Sequence, residues 1–273
     1  MKATDWIEEP VISLLDVGCN VGAWLVDCSR RYPSARLAGV DINESAVKVA
    51  RASVPFADIR RAGAENLPFR DRSFDYVTCI EVLEHLPAEL RTAAFREMQR
   101  VLQPGGRLIL TVPHAGWFAW LDSNNMRLRL PRLYGRIVSS GARDSNYEAL
   151  GRVVEWHHHF TEEELLGLAG RGWEQIATTR GGLFLYPLMD WLSWPFYRLG
   201  IPHHPVRRIF ERIGGWDFRM DFGRASYGIL VVLVRGKSTQ RAVAEGGTAP
   251  TVSQDPISAS GKTAAGREPT SKT

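Results

Sequence analysis

The sequence predicts an α/β fold: a doubly wound, mostly parallel seven-stranded sheet with helices on both faces and two inserts forming an acceptor lid. Three observations predict it. Apolar runs of strand length alternate with helix-compatible stretches from residue 11 to residue 113. The first strand-to-helix turn carries two glycines, and a carboxylate ends the second strand. Such an alternation pairs strands in parallel through right-handed crossovers and puts a ligand at the carboxyl ends of the strands.

Val11 to Val17 is the first strand, and after its glycine-bearing turn a helix runs to about Arg31. Leu37 to Asp41 is the second strand and Ser45 to Ser53 the second helix; a weaker extended piece sits near Ile59. Phe74 to Ile80 reads as a buried strand, followed by a helix from Ala88 to about Leu102 that Gln103-Pro104-Gly105-Gly106 stops. Arg107 to Val112 is the next strand. After Pro113 the rhythm breaks. A first insert, about 114–156, mixes Trp117, Phe118 and Trp120 with Arg127, Arg129, Arg132 and Arg136. Thr161 then opens a helix, with Glu164 three residues on as a capping box. Gly170-Arg171-Gly172 ends it, and Trp173 to Thr179 is another strand. A second irregular insert, about 181–224, precedes a final apolar strand from Ser226 to Val234. The folded domain is therefore expected over 1–235. Residues 236–273, mostly Ala, Gly, Ser, Thr and Pro, cannot bury a core and are expected to be a disordered tail.

Composition narrows the function classes. A hydrophobic share of 44% with 23% charged residues suffices for a buried core, and a net charge of +4 is too mild to imply nucleic acid. Cys19, Cys28 and Cys79 match no zinc spacing and read as buried thiols, which suits a reducing compartment. The opening residues lack a signal-peptide pattern, and nowhere do about 18 apolar residues run uninterrupted. The expected location is cytoplasmic.

The turn Asp16-Val17-Gly18-Cys19-Asn20-Val21-Gly22 is the central feature. Glycines there let the backbone approach a ligand, and helix N–H groups point at it. Asp41 stands where a carboxylate meets a ribose. A dinucleotide fingerprint would need glycine at Asn20, and Asp16 would sit badly beside a pyrophosphate but well beside a cationic amino group.

Six segments in order over about 100 residues, from Leu14 to Pro113, resemble a class I S-adenosylmethionine-dependent methyltransferase of the small-molecule type, with its Rossmann-like fold. They are the turn itself, Gly39-Val40-Asp41, Ala64-Glu65-Asn66-Leu67-Pro68-Phe69, Phe74-Asp75-Tyr76-Val77, Glu81-Val82-Leu83-Glu84-His85-Leu86 and Leu102-Gln103-Pro104-Gly105-Gly106. The resemblance implies S-adenosylmethionine as cofactor. It assigns Asp16, Gly18, Cys19, Asn20 and Gly22 to the methionine part, Asp41 to the ribose and Ile42 to the adenine face. Ala64 and Glu65 would meet the adenine edge, and Ile80 and Glu81 the sulfonium side. Two departures stand out. Asn20 replaces a glycine but tolerates left-handed backbone angles; Gly63 stands where relatives carry Asp.

No base is fixed by the sequence. The resemblance turns His85 toward the cofactor edge as a candidate catalytic residue, with a local turn cap as its alternative. In His157-His158-His159, alternation sends His157 and His159 to one side; His159 is the second catalytic candidate and His114 a further one. No metal is expected, because no nearby acid has ligand-like spacing.

Both inserts are expected to build the acceptor pocket. The second runs from Gly182 through Trp191, Trp194 and Tyr197, and then places Val206, Ile209, Phe210 and Ile213 at helical spacing among Arg207, Arg208 and Arg212. Residues 183–213 read either as an aromatic lid or as a contact with the inner face of a membrane. The expected activity is methyl transfer to a small-molecule or lipid-linked acceptor such as a glycolipid, quinone or sugar. The alternatives are an RNA or protein methyltransferase, with the Arg127 to Arg136 stretch on phosphates, or a non-catalytic cofactor-binding module.

Overall fold

The computed structural model of the chain describes residues 3–122, 125, 129, 132, 157–198, 201 and 204–236. Seven strands form one sheet: β1 (Ser13–Val17), β2 (Arg36–Asp41), β3 (Asp58–Arg61), β4 (Phe74–Ile80), β5 (Leu102–Pro113), β6 (Trp173–Gly181) and β7 (Gly228–Arg235). Their order is β3-β2-β1-β4-β5-β7-β6. The first five run parallel, whereas β7 lies antiparallel between β5 and β6. Chain order reverses between β1 and β4, which opens a crevice at their carboxyl ends.

The inner strands β1, β4, β5 and β7 are apolar on both faces because each face is covered by helices. Leu15, Val77, Leu108 and Val231 pack with Phe95, Met98 and Val101 of α3 (Ala88–Val101) and with Leu165 of α4 (Glu162–Ala169). Their strand neighbours Leu14, Tyr76, Ile109 and Leu230 face the other way. They meet Leu25 and Cys28 of α1 (Ala23–Arg31) and Val47 and Ala50 of α2 (Glu44–Ser53). Fully burying one such side chain is worth about 1.5–3 kcal/mol, so two continuous cores hold the sheet between its helices.

Local signals set the helix starts. The Asn43 side chain accepts from the N–H groups of Ser45 and Ala46 at 2.9 and 3.2 Å and caps α2. Thr161 caps α4 by accepting from Glu164 N at 3.1 Å. The reciprocal half of the expected capping box is absent: the Glu164 carboxylate meets His158 Nε2 at 2.7 Å, a charged acceptor engaged by a ring nitrogen.

The reading of 181–224 as irregular is corrected. It holds two helices packed on each other, α5 (Leu185–Arg198) and α6 (Pro205–Asp217). Pro187 falls in the first turn of α5, where its missing N–H costs nothing, and Pro195 falls near the end. Asp217, 2% exposed at the end of α6, accepts from Leu183 N and Tyr186 N at 2.8 and 3.0 Å. A tertiary contact thus supplies the cap that α5 lacks locally. Among the described residues no helix is long and apolar enough to cross a membrane. Arg127, Arg136, most of the first insert, the side chains of Trp194 and Tyr197, and residues 237–273 lie outside the described residues.

Candidate active site

The turn after β1 is built from left-handed backbone. Gly18, Asn20 and Gly22 have φ of 78, 47 and 82°. Asparagine is among the few side chains that adopt this region readily, so Asn20 serves where glycine is usual. Gly18 N and Cys19 N donate to Val40 O at 2.8 and 2.9 Å, and Asn20 N donates to Asp41 Oδ2 at 2.8 Å. Asn43 N reaches the other oxygen, Oδ1, also at 2.8 Å. A Cβ added to Gly18 would stand 2.3 Å from Val82 Cγ2, so only glycine fits between β2 and the segment after β4.

Asp16 lies at the same end of the sheet, 3% exposed, with its Oδ1 taking the Thr78 hydroxyl at 2.7 Å. Burial pushes its carboxyl up to about 7; the Thr78 bond opposes this and the Asp41 charge adds to it. A buried carboxyl beside the Asp41 charge is a place where a cation is favoured.

The remaining sequence-named residues are distributed as follows. Cys19 turns its thiol inward, 2.9 Å from where a Cβ on Gly39 would stand, and burial pushes its pKa to about 12. Its backbone, not its sulfur, belongs to the turn. Ile42 packs partly buried against the first core and Ala64 is buried in it. The Glu65 carboxylate folds over Gly63, within 2.3–2.7 Å of the position a Cβ there would take, so a carboxylate fills the space left by the missing Asp. Ile80 ends β4 and Glu81 follows it. Glu81 has φ 54°, and its Oε1 accepts from Thr111 Oγ1 at 2.9 Å. Both line a cavity of about 820 Å³ with Trp24, Val112, Tyr186, Phe218 and Tyr227.

The histidine run alternates as its sequence predicts. His157 Nδ1 bonds Asp122 Oδ2, and His159 Nε2 reaches the same oxygen at 2.8 Å, while His158 turns to Glu164. His159 Nδ1 also faces His114 O at 3.0 Å, so both of its ring nitrogens meet oxygen atoms of the protein. His114 is buried, its Nδ1 at 2.9 Å from Ser226 O, and burial lowers its pKa. His85 is half exposed at the end of the turn Leu83–His85, with its ring centroid 4.8 Å from that of His157.

Two acids in this cluster escaped the sequence reading. Burial alone would raise the Asp122 carboxyl, but the bonds from His157 and His159 hold it well below the usual carboxylate range. Asp122 lies 35 residues before His157, with no motif around it. Glu84 was visible in its motif but carried no assigned role.

The family model described as a methyltransferase domain matches residues 15–110. Demethylmenaquinone methyltransferase of Staphylococcus aureus is 37% identical over 99 residues, covering 35% of this chain and 40% of that protein. The chain spans less than half the length of the curated relatives it matches. Among solved structures, a SAM-dependent methyltransferase from Methanosarcina mazei shares the fold with TM-score 0.52 and 22% identity, covering 85% of this chain and 96% of that one. Geranyl diphosphate methyltransferase, solved with its diphosphate and sinefungin, has TM-score 0.52 and 14% identity over 84% of this chain and 74% of that one. With the strand order, the glycine turn and the acid at residue 41 in place, residues 15–110 carry a methyltransferase domain of the class I, S-adenosylmethionine-dependent kind.

Proposed function

We propose that this protein transfers the methyl group of S-adenosylmethionine to a small amphiphilic acceptor, a quinone-like or lipid-linked molecule, held in the cavity beside Glu81. The Asn20–Asp41 contact carries this reading, because it brings the glycine turn and the ribose-binding acid to one place. The residues fit the group. Each Asp41 oxygen already takes one backbone N–H and keeps lone pairs for a ribose hydroxyl. Asp16 matches a cationic amino group, Ile42 an adenine face, and the Glu65 carboxylate over Gly63 an exocyclic amine. When bound, the cofactor supplies an electrophilic methyl on sulfur.

What the chain's own residues do is align and exclude water. Trp24, Tyr186, Phe218 and Tyr227 give the cavity an aromatic wall, and Glu81 and Thr111 supply polar groups at its floor. His85 is half exposed, and His159 serves to fix Asp122. An amphiphilic acceptor is supported by the names of two similar proteins, a demethylmenaquinone methyltransferase and a geranyl diphosphate methyltransferase.

Delivery from the inner face of a membrane fits the outer surface of α5 and α6. Leu188, Leu192, Ile209, Ile213 and Trp216 are exposed there beside Arg208 and Arg212. The test is to hold the purified chain with labelled S-adenosylmethionine and cell extract and to separate lipid from aqueous products. Label in the lipid fraction supports an amphiphilic acceptor; label in protein or RNA sinks it. Co-sedimentation with anionic vesicles at low salt tests the membrane contact, and a protein left in the supernatant rules it out.

A further inference from the structure

We propose that Glu84, His85 and His157 form a binding site for a divalent first-row metal ion, zinc being the test ion, with Asp122 orienting His157. The side chains converge although they come from separate places: Glu84 and His85 from the turn after β4, and His157 from the far side of the first insert. One ligand atom from each lies within 4.8 Å of the other two. Two imidazoles and a carboxylate are a donor set that zinc, manganese and ferrous iron accept.

The distances separate ligands from supports. Glu84 Oε1 stands 3.8 Å from His85 Nε2 and 3.9 Å from His157 Nε2. These gaps are too long for hydrogen bonds. They are close to the roughly 3.4 Å between two atoms that bind one tetrahedral zinc at about 2.1 Å each. Asp122, by contrast, is in hydrogen-bond contact with His157 Nδ1 and lies 2.8 Å from His159 Nε2. It therefore belongs behind His157, holding Nδ1 so that Nε2 is left for the ion, as carboxylates behind metal-bound histidines do. His159, hydrogen-bonded to Asp122 and to the His114 carbonyl, keeps Asp122 in place.

The second, independent observation is Glu84 itself. Its side chain is 0% exposed, among the described residues no side-chain N–H lies within hydrogen-bond distance of either carboxylate oxygen, and its neighbour Glu81 brings a second carboxyl rather than a positive charge. An ionised carboxylate buried without donors is costly and calls for either a proton or a cation. Two imidazole nitrogens aimed at the same oxygen favour the cation. Half-exposed His85 leaves the ion a route from solvent.

Three protein ligands leave a fourth position open. If the methyl-transfer reading is right, on which this clause alone rests, that position takes a hydroxyl or phenol of the acceptor and lowers its pKa, its proton leaving to solvent.

The test uses the untagged full chain, stripped with a chelator and titrated with zinc against a chromogenic chelator. One equivalent should bind per chain. His157→Ala and Glu84→Gln should each weaken it at least tenfold, and so should His85→Ala, which changes a half-exposed position and spares the core. His158→Ala should leave binding unchanged, since that ring bonds Glu164 instead. Absence of stoichiometric zinc, or undiminished binding by His157→Ala and His85→Ala, overturns the site. S-adenosylmethionine affinity, measured on the same preparations without zinc, reports folding and keeps a failure of the methyl-donor reading separate.

Discussion

The backbone N–H of Asn20 donates to Oδ2 of Asp41 across 2.8 Å, tying the turn after β1 to the acid that ends β2. Hydrogen bonds to a charged partner are worth about 1.5–3 kcal/mol each, so this carboxylate shapes the turn, and in the function proposed above it also binds ribose. Asp41→Ala should weaken S-adenosylmethionine binding tenfold or more, equivalent to about 1.4 kcal/mol. Titration calorimetry checks it, and an unchanged affinity removes Asp41 as the ribose ligand.

Asp16 predicts a pH dependence. Its carboxyl, pushed up to about 7 by burial, holds a proton in the folded chain that the unfolded chain gives up near pH 3.9. Its contribution to stability is therefore full below about pH 4 and is lost as the pH rises toward 7. Binding of a cationic cofactor needs the ionised form, so affinity should run the opposite way, falling by up to about tenfold per pH unit below 7. Asp16→Asn should flatten both trends. Melting curves and calorimetry at about pH 6 and about pH 8 measure them, and an equally steep affinity profile in the variant would remove Asp16 from the cofactor site.

Gly18→Ala should cost stability and cofactor affinity together. The position has φ 78°, where a side chain costs about 1–2 kcal/mol, and the new methyl would meet Val82. A melting temperature lower by about 2–8 °C is expected for a domain of this size. Calorimetric scanning reads that shift, and cofactor titration reads the loss of affinity.

Asp217→Ala should loosen α5 without unfolding the sheet. The change strands the N–H groups of Leu183 and Tyr186, at a cost of about 1–3 kcal/mol. Hydrogen exchange should rise at these two amides while β1 and β4 stay protected. Unaltered protection at both amides would mean that the cap is not what holds the helix.

Strand and helix identities from Ser13 to Pro113 were legible because their signals are local: apolar period, glycine at the turns and caps such as Asn43. The left-handed angle at Asn20 was legible too, from residue type and place. The helical state of α5 was not, since two prolines and an aspartate argue against it locally and the cap arrives from Asp217. Nor was the antiparallel slot of β7 between β5 and β6, which has no mark in an apolar strand.

The histidine cluster divides in the same way. Alternation alone put His157 and His159 on one side, because successive side chains of an extended segment point in opposite directions. That Asp122 would stand between them, and that Glu84 and His85 would face His157, follows only from the tertiary fold, which brings Asp122 and His157 beside the turn after β4. By itself, then, the sequence determined the α/β alternation, the glycine turn and the acid at residue 41. The tertiary structure decided which distant acids meet which histidines, since a contact between residues 35 or more positions apart depends on the whole sheet and on no local pattern.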